Sequence, residues 1–190
     1  MKIVPVGVSA RHIHLSPEHI EILFGKGYQL KQMKPLSQPG QYAAEETVAV
    51  IGPKGKFDKV RILGPARGKT QIEISCTDAY ALGIPAPVRE SGNIEGTPGA
   101  KIVGPAGEVE IEEGVIVAAR HIHFHTSDAE KWGISDKQLL RVRVKGERPL
   151  IFEDVIARVS DSFALDMHID TDEANAAGVK NGGEAVILDD

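Results

Sequence analysis

One heptapeptide occurs twice in this chain, and the repetition limits what the chain can become. Val8-Ser9-Ala10-Arg11-His12-Ile13-His14 returns as Val117-Ala118-Ala119-Arg120-His121-Ile122-His123, 109 residues further on. A repeat of that separation in 190 residues predicts two halves built on one plan. In an extended strand successive side chains alternate faces. The two histidines of each His-Ile-His therefore share a face, and Ile13 or Ile122 points the other way. Two imidazoles so placed can bind one metal ion, and neutral imidazole suits Zn²⁺ and its transition-metal neighbours. A single His-x-His is more often part of a polar strand surface. Four of the seven histidines fall in these two pairs, which marks them as the functional centre.

A second internal match supplies further ligand-type residues. Ile72-Glu73-Ile74-Ser75-Cys76-Thr77-Asp78-Ala79-Tyr80-Ala81-Leu82-Gly83-Ile84 aligns without gaps to Met167-His168-Ile169-Asp170-Thr171-Asp172-Glu173-Ala174-Asn175-Ala176-Ala177-Gly178-Val179. Glu73 then stands opposite His168. The candidate sets are His12, His14 and Glu73 in one half, and His121, His123 and His168 in the other. Three protein ligands with a position left over is the pattern of a catalytic rather than a structural zinc site. Two competing readings remain open here. One is a single shared four-histidine site, which leaves Glu73 and His168 idle. The other is a cupin-like metal module, imitated loosely by His12, His14, Glu18 and Gly25. The second copy has no glutamate at the place of Glu18, which weakens that imitation.

Twenty glycines and eleven prolines, with 5% aromatic residues, predict a mainly β chain of short strands and tight turns. Strands are expected over 4–10, 47–51, 57–63, 70–75, 100–103, 108–111, 115–123, 139–145, 151–159, 164–170 and 184–188. Residues 29–42 and 85–98 read as loops, the latter as a domain boundary or active-site loop. Ser16-Pro17-Glu18 starts a helix to Phe24, stopped by Gly25. Short helices over 77–82, 126–132 and 171–177 each close on a glycine. No run of about eighteen apolar residues exists to cross a bilayer. The formal charge of −5, without a basic run, argues against nucleic acid as a partner. Cys76 is the only cysteine, so no intrachain disulfide can form. With no signal peptide ahead of the first motif, a cytoplasmic location is expected.

Arg11 and Arg120 point away from the histidines and read as structural ion-pair partners. Arg67 lies in a Gly/Pro loop six residues before Glu73, where a guanidinium can grip an anion bidentately. His19 reads as a helix-surface residue, His125 as incidental or as support for a ligand, and Cys76 as a small buried hydrophobe.

Taken together, Ser9-Ala10-Arg11-His12-Ile13-His14-Leu15-Ser16, Arg61-Ile62-Leu63-Gly64-Pro65, Arg67…Glu73, Arg120-His121-Ile122-His123 and Asp166-Met167-His168-Ile169-Asp170 resemble the propanediol-utilisation type of phosphotransacylase, also called phosphate propanoyltransferase. The resemblance runs along essentially the whole chain. It implies two closely packed β-barrel domains from an internal duplication, capped by short α-helices. The first spans 11–118; the second spans 119–190 together with the N-terminal strand 1–10, with the active site between them. It implies two Zn²⁺ per chain in a dinuclear site on His12, His14, Glu73, His121, His123 and His168. Arg67 falls on the family's phosphate-binding, catalytic arginine. Coenzyme A contacts fall on Val8, Ser9, Ala10, Lys54, Arg61 and Asn175. The implied reaction converts acyl-CoA (propanoyl-CoA and also acetyl-CoA) and inorganic phosphate reversibly into acyl phosphate and CoA. A homodimer is implied as well. No N-terminal encapsulation extension precedes the first strand, so a free cytoplasmic enzyme is expected rather than one housed in a microcompartment. The rival classes are a two-metal hydrolase, which needs no CoA, and a metal-binding module, which turns nothing over.

Overall fold

Prolines and glycines cut the apolar stretches into short pieces, and a computed structural model shows, among the described residues, fifteen strands and four helices of seven or eight residues. It describes residues 1–189. Strands β1 (Lys2–Ser9) and β2 (His12–His14) lead into helix α1 (Pro17–Phe24). Strands β3 (Gln32–Pro35), β4 (Tyr42–Ile51), β5 (Lys56–Gly64) and β6 (Gln71–Glu73) precede α2 (Cys76–Leu82). Strands β7 (Val88–Arg89), β8 (Ala100–Val103), β9 (Glu108–Ile111), β10 (Val115–Ala118) and β11 (His121–Phe124) precede α3 (Thr126–Trp132). Then come β12 (Leu139–Lys145), β13 (Leu150–Val159), β14 (Asp166–Asp170), α4 (Thr171–Ala177) and β15 (Gly183–Ile187).

The helix ends fall where capping chemistry puts them. The Ser16 hydroxyl accepts from the His19 N–H at the start of α1, and Gly25 ends it. Ser75 and Asp170 each form a reciprocal capping box, with Asp78 in α2 and Glu173 in α4. Four expectations need correction. The strand expected over 70–75 shortens to β6 because Ser75 caps α2, and the loop expected over 85–98 contains β7. Residues 115–123 are two strands rather than one, because the Ala119 carbonyl turns to accept from the His121 ring and the Arg120 carbonyl accepts from the Ile156 N–H. The loop expected over 29–42 contains β3, which pairs with β4 in an irregular register.

The mainly β architecture divides into two units. One, Met1–Ser9, Ser37–Pro39 and Ala119–Asp190, is a closed barrel in the order β1-β14-β11-β13-β12-β15. The other, Ala10–Leu36 and Gly40–Ala118, is an open sheet in the order β7-β10-β6-β2-β5-β4-β8-β9, with β3 on β4. Both contain the same five-strand core: β1-β14-β11-β13-β12 in one, β10-β6-β2-β5-β4 in the other. In each, the His-x-His strand is antiparallel to the strand bearing the third ligand-type residue and parallel to its other neighbour.

Closure separates the two. After α4, the five residues of β15 pair with both β1 and β12 and shut the barrel. After α2, the segment that follows Pro85 and Pro87 forms only the two residues of β7. That strand reaches β10 alone, and the sheet curls without closing.

The duplicated isoleucines behave as the alternation requires. Ile13 and Ile122 are fully buried, each in the apolar core of its own unit, while the flanking histidines occupy the opposite face. Ile122→Ala removes methyl and methylene groups from a site with no room to collapse. It should cost about 2–5 kcal/mol, read from the urea midpoint.

Candidate functional site

Cross-strand register assembles both histidine groups. In the open-sheet unit His12 sits directly opposite Glu73, and His14 opposite Gln71. His12 Nε2 lies 3.2 Å from Glu73 Oε2, and His14 Nε2 lies 3.4 Å from Glu73 Oε1. In the barrel His121 sits opposite His168 and His123 opposite Asp166, the same register. The His121 and His123 Nε2 atoms are 3.1 Å apart. Each group gathers one ligand-type atom per residue within 4.8 Å. The two sets read from the repeat, His12/His14/Glu73 and His121/His123/His168, are thus brought together as two separate triads.

The imidazoles are oriented from behind by the backbone. His12 Nδ1 donates to the Ala10 carbonyl at 2.9 Å, and His121 Nδ1 donates to the Ala119 carbonyl at 2.8 Å. Committing Nδ1–H this way fixes the tautomer and leaves Nε2 as the lone-pair nitrogen, the arrangement found behind metal-ligating histidines. The arginine before each pair does a parallel job. Arg11 pairs with Asp78 at 2.6 Å and lies over the Phe57 ring, while Arg120 pairs with Glu173 at 3.0 Å. Asp78 and Glu173 are the capping-box residues of α2 and α4. Each Arg-His-Ile-His is therefore tied to the first turn of the helix that follows its third triad residue.

Electrostatics at the first triad make Glu73 and His14 ligand-ready and pair His12 with the Glu73 charge. Burial alone raises the pKa of a carboxyl, but His12, by charge and hydrogen bond, and His14 together hold Glu73 well below the usual carboxylate range. Burial lowers His14 to about 4, so it is a neutral imidazole at pH 7. For His12, burial is outweighed by the charge and hydrogen bond of Glu73, and its pKa is raised. Neutral imidazole nitrogen and carboxylate oxygen are the donors that zinc and its neighbours take, so the residues fit a metal ion in both triads.

Glu73 is also the hub of a wider network. Gln71 Nε2 donates to Glu73 Oε1 at 2.6 Å and to Ser91 Oγ at 2.8 Å. The Ser91 hydroxyl donates to Glu73 Oε1 at 3.0 Å and accepts from Arg67 Nη1 at 3.1 Å. The Arg67 N–H donates to the Leu15 carbonyl, which ties its loop to the end of β2. Arg67 thus stands beside the His12/His14/Glu73 triad, and its charge lowers the pKa of both histidines. Gln71 and Ser91 escaped the sequence reading. Extending the second internal match by one residue pairs Gln71 with Asp166 and would have found the first. Ser91 carries no motif beyond lying in the loop over 85–98.

The residues assigned to CoA by resemblance are distributed over both units. Val8 and Ser9 lie on β1 and exposed Asn175 on α4, all in the barrel unit. Ala10, Lys54 and Arg61 belong to the open-sheet unit. Arg61 Nη1 donates to the Ala44 and Glu45 carbonyls, and Lys54 is exposed at the β4–β5 turn. Three other expectations change. Cys76 is exposed at the first position of α2 rather than buried, because Ser75 takes the cap and turns the chain outward. His125 is the N-cap of α3, its Nδ1 accepting from the Ser127 N–H. His19 is half-buried, with Nδ1 2.7 Å from the Thr70 hydroxyl.

Comparison with known proteins gives this geometry its family. Residues 5–180 match the family described as phosphate propanoyltransferase. A phosphate propanoyltransferase of Thermotoga maritima is 56% identical over 185 residues, 97% of this chain and 88% of that protein. Relatives with the same description in Clostridioides difficile and Listeria monocytogenes are 52% and 53% identical, each over 97% of this chain, covering 88% and 87% of their own lengths. A duplicated β fold with these relatives is an acyltransferase. The chain belongs to the phosphate propanoyltransferase family. No helix among the described residues is long and apolar enough to cross a membrane.

Proposed function

We propose that the chain interconverts acyl-CoA and inorganic phosphate with acyl phosphate and CoA, using one zinc ion in each triad. Propanoyl-CoA and acetyl-CoA are the proposed acyl donors. The observation that carries the reading is the linkage of Arg67 through Ser91 to Glu73, which sets an anion-gripping guanidinium beside a His/His/Glu donor set. His12, His14 and Glu73 would hold one ion, and His121, His123 and His168 the other. When bound, zinc supplies Lewis acidity and, being borderline-soft, accepts both sulfur and oxygen donors.

Arg67 binds phosphate through its planar fork and aligns one oxygen with the thioester carbon. That oxygen forms the new C–O bond, the C–S bond breaks, and CoA leaves as its thiolate. Through the addition step Arg67 stabilises negative charge that builds on the phosphate and carbonyl oxygens. Ser91 is engaged with Arg67, Gln71 and Glu73, so it holds the guanidinium in place rather than attacking. Direct displacement by phosphate fits this arrangement better than an acyl-enzyme. The CoA contacts proposed are Val8, Ser9, Ala10, Lys54, Arg61 and Asn175, whose cationic members suit the nucleotide phosphates.

Metal quantification on the purified protein, coupled to a thiol-release assay with acetyl-CoA and propanoyl-CoA, tests the whole reading. About two zinc per chain and release that requires phosphate are expected. Release without phosphate would identify a two-metal hydrolase instead, and a metal-free active protein would overturn both triads.

A further inference from the structure

Four of the five phenylalanines pack in or against an apolar core, Phe24 and Phe57 in the open-sheet unit and Phe124 and Phe152 in the barrel. Phe163 belongs to neither core and is half-buried. Its ring meets the His123 imidazole edge to face, with centroids 4.5 Å apart. The Arg158 guanidinium carbon lies 5.8 Å from the centre of the same ring. An aromatic side chain outside the cores and set against a triad histidine is an apolar surface placed where the chemistry is.

We infer that Phe163 is the specificity-determining residue for the acyl chain, the wall against which the propanoyl group packs. This rests on the acyl-transfer reading above. The acyl chain is the apolar end of the thioester, and burying each of its methylenes against hydrocarbon is favourable. Carried back without gaps, the second internal match sets Phe163 opposite Gly68 and Ser162 opposite Arg67. At these two positions the open-sheet unit offers a guanidinium and the barrel unit a phenyl ring. One suits an anion and the other a hydrocarbon chain.

The backbone holds the ring in place. Gln38, 2% exposed, donates from Nε2 to the Ala164 carbonyl at 2.9 Å and accepts the Ala164 N–H on Oε1 at 3.2 Å. The Phe163 N–H donates to the Ser160 carbonyl. The peptide groups on both sides of Phe163 are therefore bonded, one of them to a buried side chain 126 residues away. A wall fixed in this way discriminates chain length, where a mobile one would yield to whatever enters.

The test compares kcat/KM for propanoyl-CoA and acetyl-CoA by phosphate-dependent thiol release. Wild type should prefer propanoyl-CoA about 10-fold, the effect of one methylene in an apolar pocket. Phe163→Ala should bring the ratio close to one. Phe163→Trp enlarges the ring and should turn the preference towards acetyl-CoA; it decides the question where Phe163→Ala does not fold. The same change should appear without turnover. S-propyl-CoA, a thioether that cannot react, should bind wild type more tightly than S-ethyl-CoA by calorimetry, and Phe163→Ala should bind the two alike. Zinc content and the KM for phosphate should stay at wild-type values in both variants. A wild-type ratio in both variants would overturn the role. Zinc loss in Phe163→Ala with the ratio kept would overturn it too, showing that the ring only steadies His123. A wild-type protein that releases no thiol from either acyl-CoA would sink the acyl-transfer reading itself, a result distinct from either.

Discussion

Arg67→Ala is expected to lower turnover with phosphate by about 100- to 1,000-fold while both metal ions stay bound. Two requirements meet at this residue. The proposed reaction brings an inorganic anion to a thioester, and in it the chain would hold that anion in line without an acyl-enzyme to store the intermediate. A fixed guanidinium does this by bidentate hydrogen bonding and by charge. The Leu15 carbonyl fixes the Arg67 backbone, and the Ser91 hydroxyl takes one N–H of its head group. None of these contacts is to a histidine of either triad, and Gln71 still donates to Glu73 and Ser91 when the guanidinium is gone. Metal content should therefore survive. The loss should appear in kcat and in the KM for phosphate, with the KM for acyl-CoA little changed. Arg67→Lys keeps the charge but not the fork, so it should recover activity only in part. Zinc loss in Arg67→Ala would show a structural role instead. Unaltered phosphate kinetics would remove Arg67 from the mechanism.

How far the sequence could be read follows from which interactions leave a pattern in it. Strand alternation placed Ile13 and Ile122 in the cores and put each histidine pair on the opposite face. Duplication then matched Glu73 to His168, and the register of β2 with β6 and of β11 with β14 brings each of them opposite the first histidine of its pair. The helix ends were legible because caps are local: Ser16, Pro17 and Gly25 lie within a few residues of what they terminate. Closure was not legible. Whether a curled sheet shuts depends on a strand reaching two partners, and β15 does so while the two residues of β7 reach β10 alone. The break between β10 and β11 was hidden for a related reason. Neither proline nor glycine marks the break at Ala119-Arg120, and the chain turns there on a side-chain bond from His121 to the Ala119 carbonyl and a backbone bond from Ile156 to the Arg120 carbonyl. Ser91 was invisible because a serine in a loop has no periodicity to betray it. Its meaning comes from Arg67, Gln71 and Glu73 converging on one hydroxyl.

His121→Ala should remove one of two zinc ions per chain and take the activity with it. His121 anchors its triad: the Ala119 carbonyl holds its Nδ1, its Nε2 lies against that of His123, and it faces His168 across the strands. Loss of one of three protein ligands leaves two, too few to hold zinc against water and chelators. The fold should be spared, because the ring lies on the face away from the apolar core and Ile122 remains in place. Circular dichroism unchanged from wild type, with zinc reduced from about two to about one, would separate ligand loss from unfolding. The retained ion should respond to His14→Ala and not to His123→Ala, since those histidines belong to different triads. Were one shared four-histidine site the true arrangement, His121→Ala would disturb all bound metal and Glu73→Ala would disturb none. A fully metallated and active His121→Ala protein would remove the three-histidine triad from the reaction altogether.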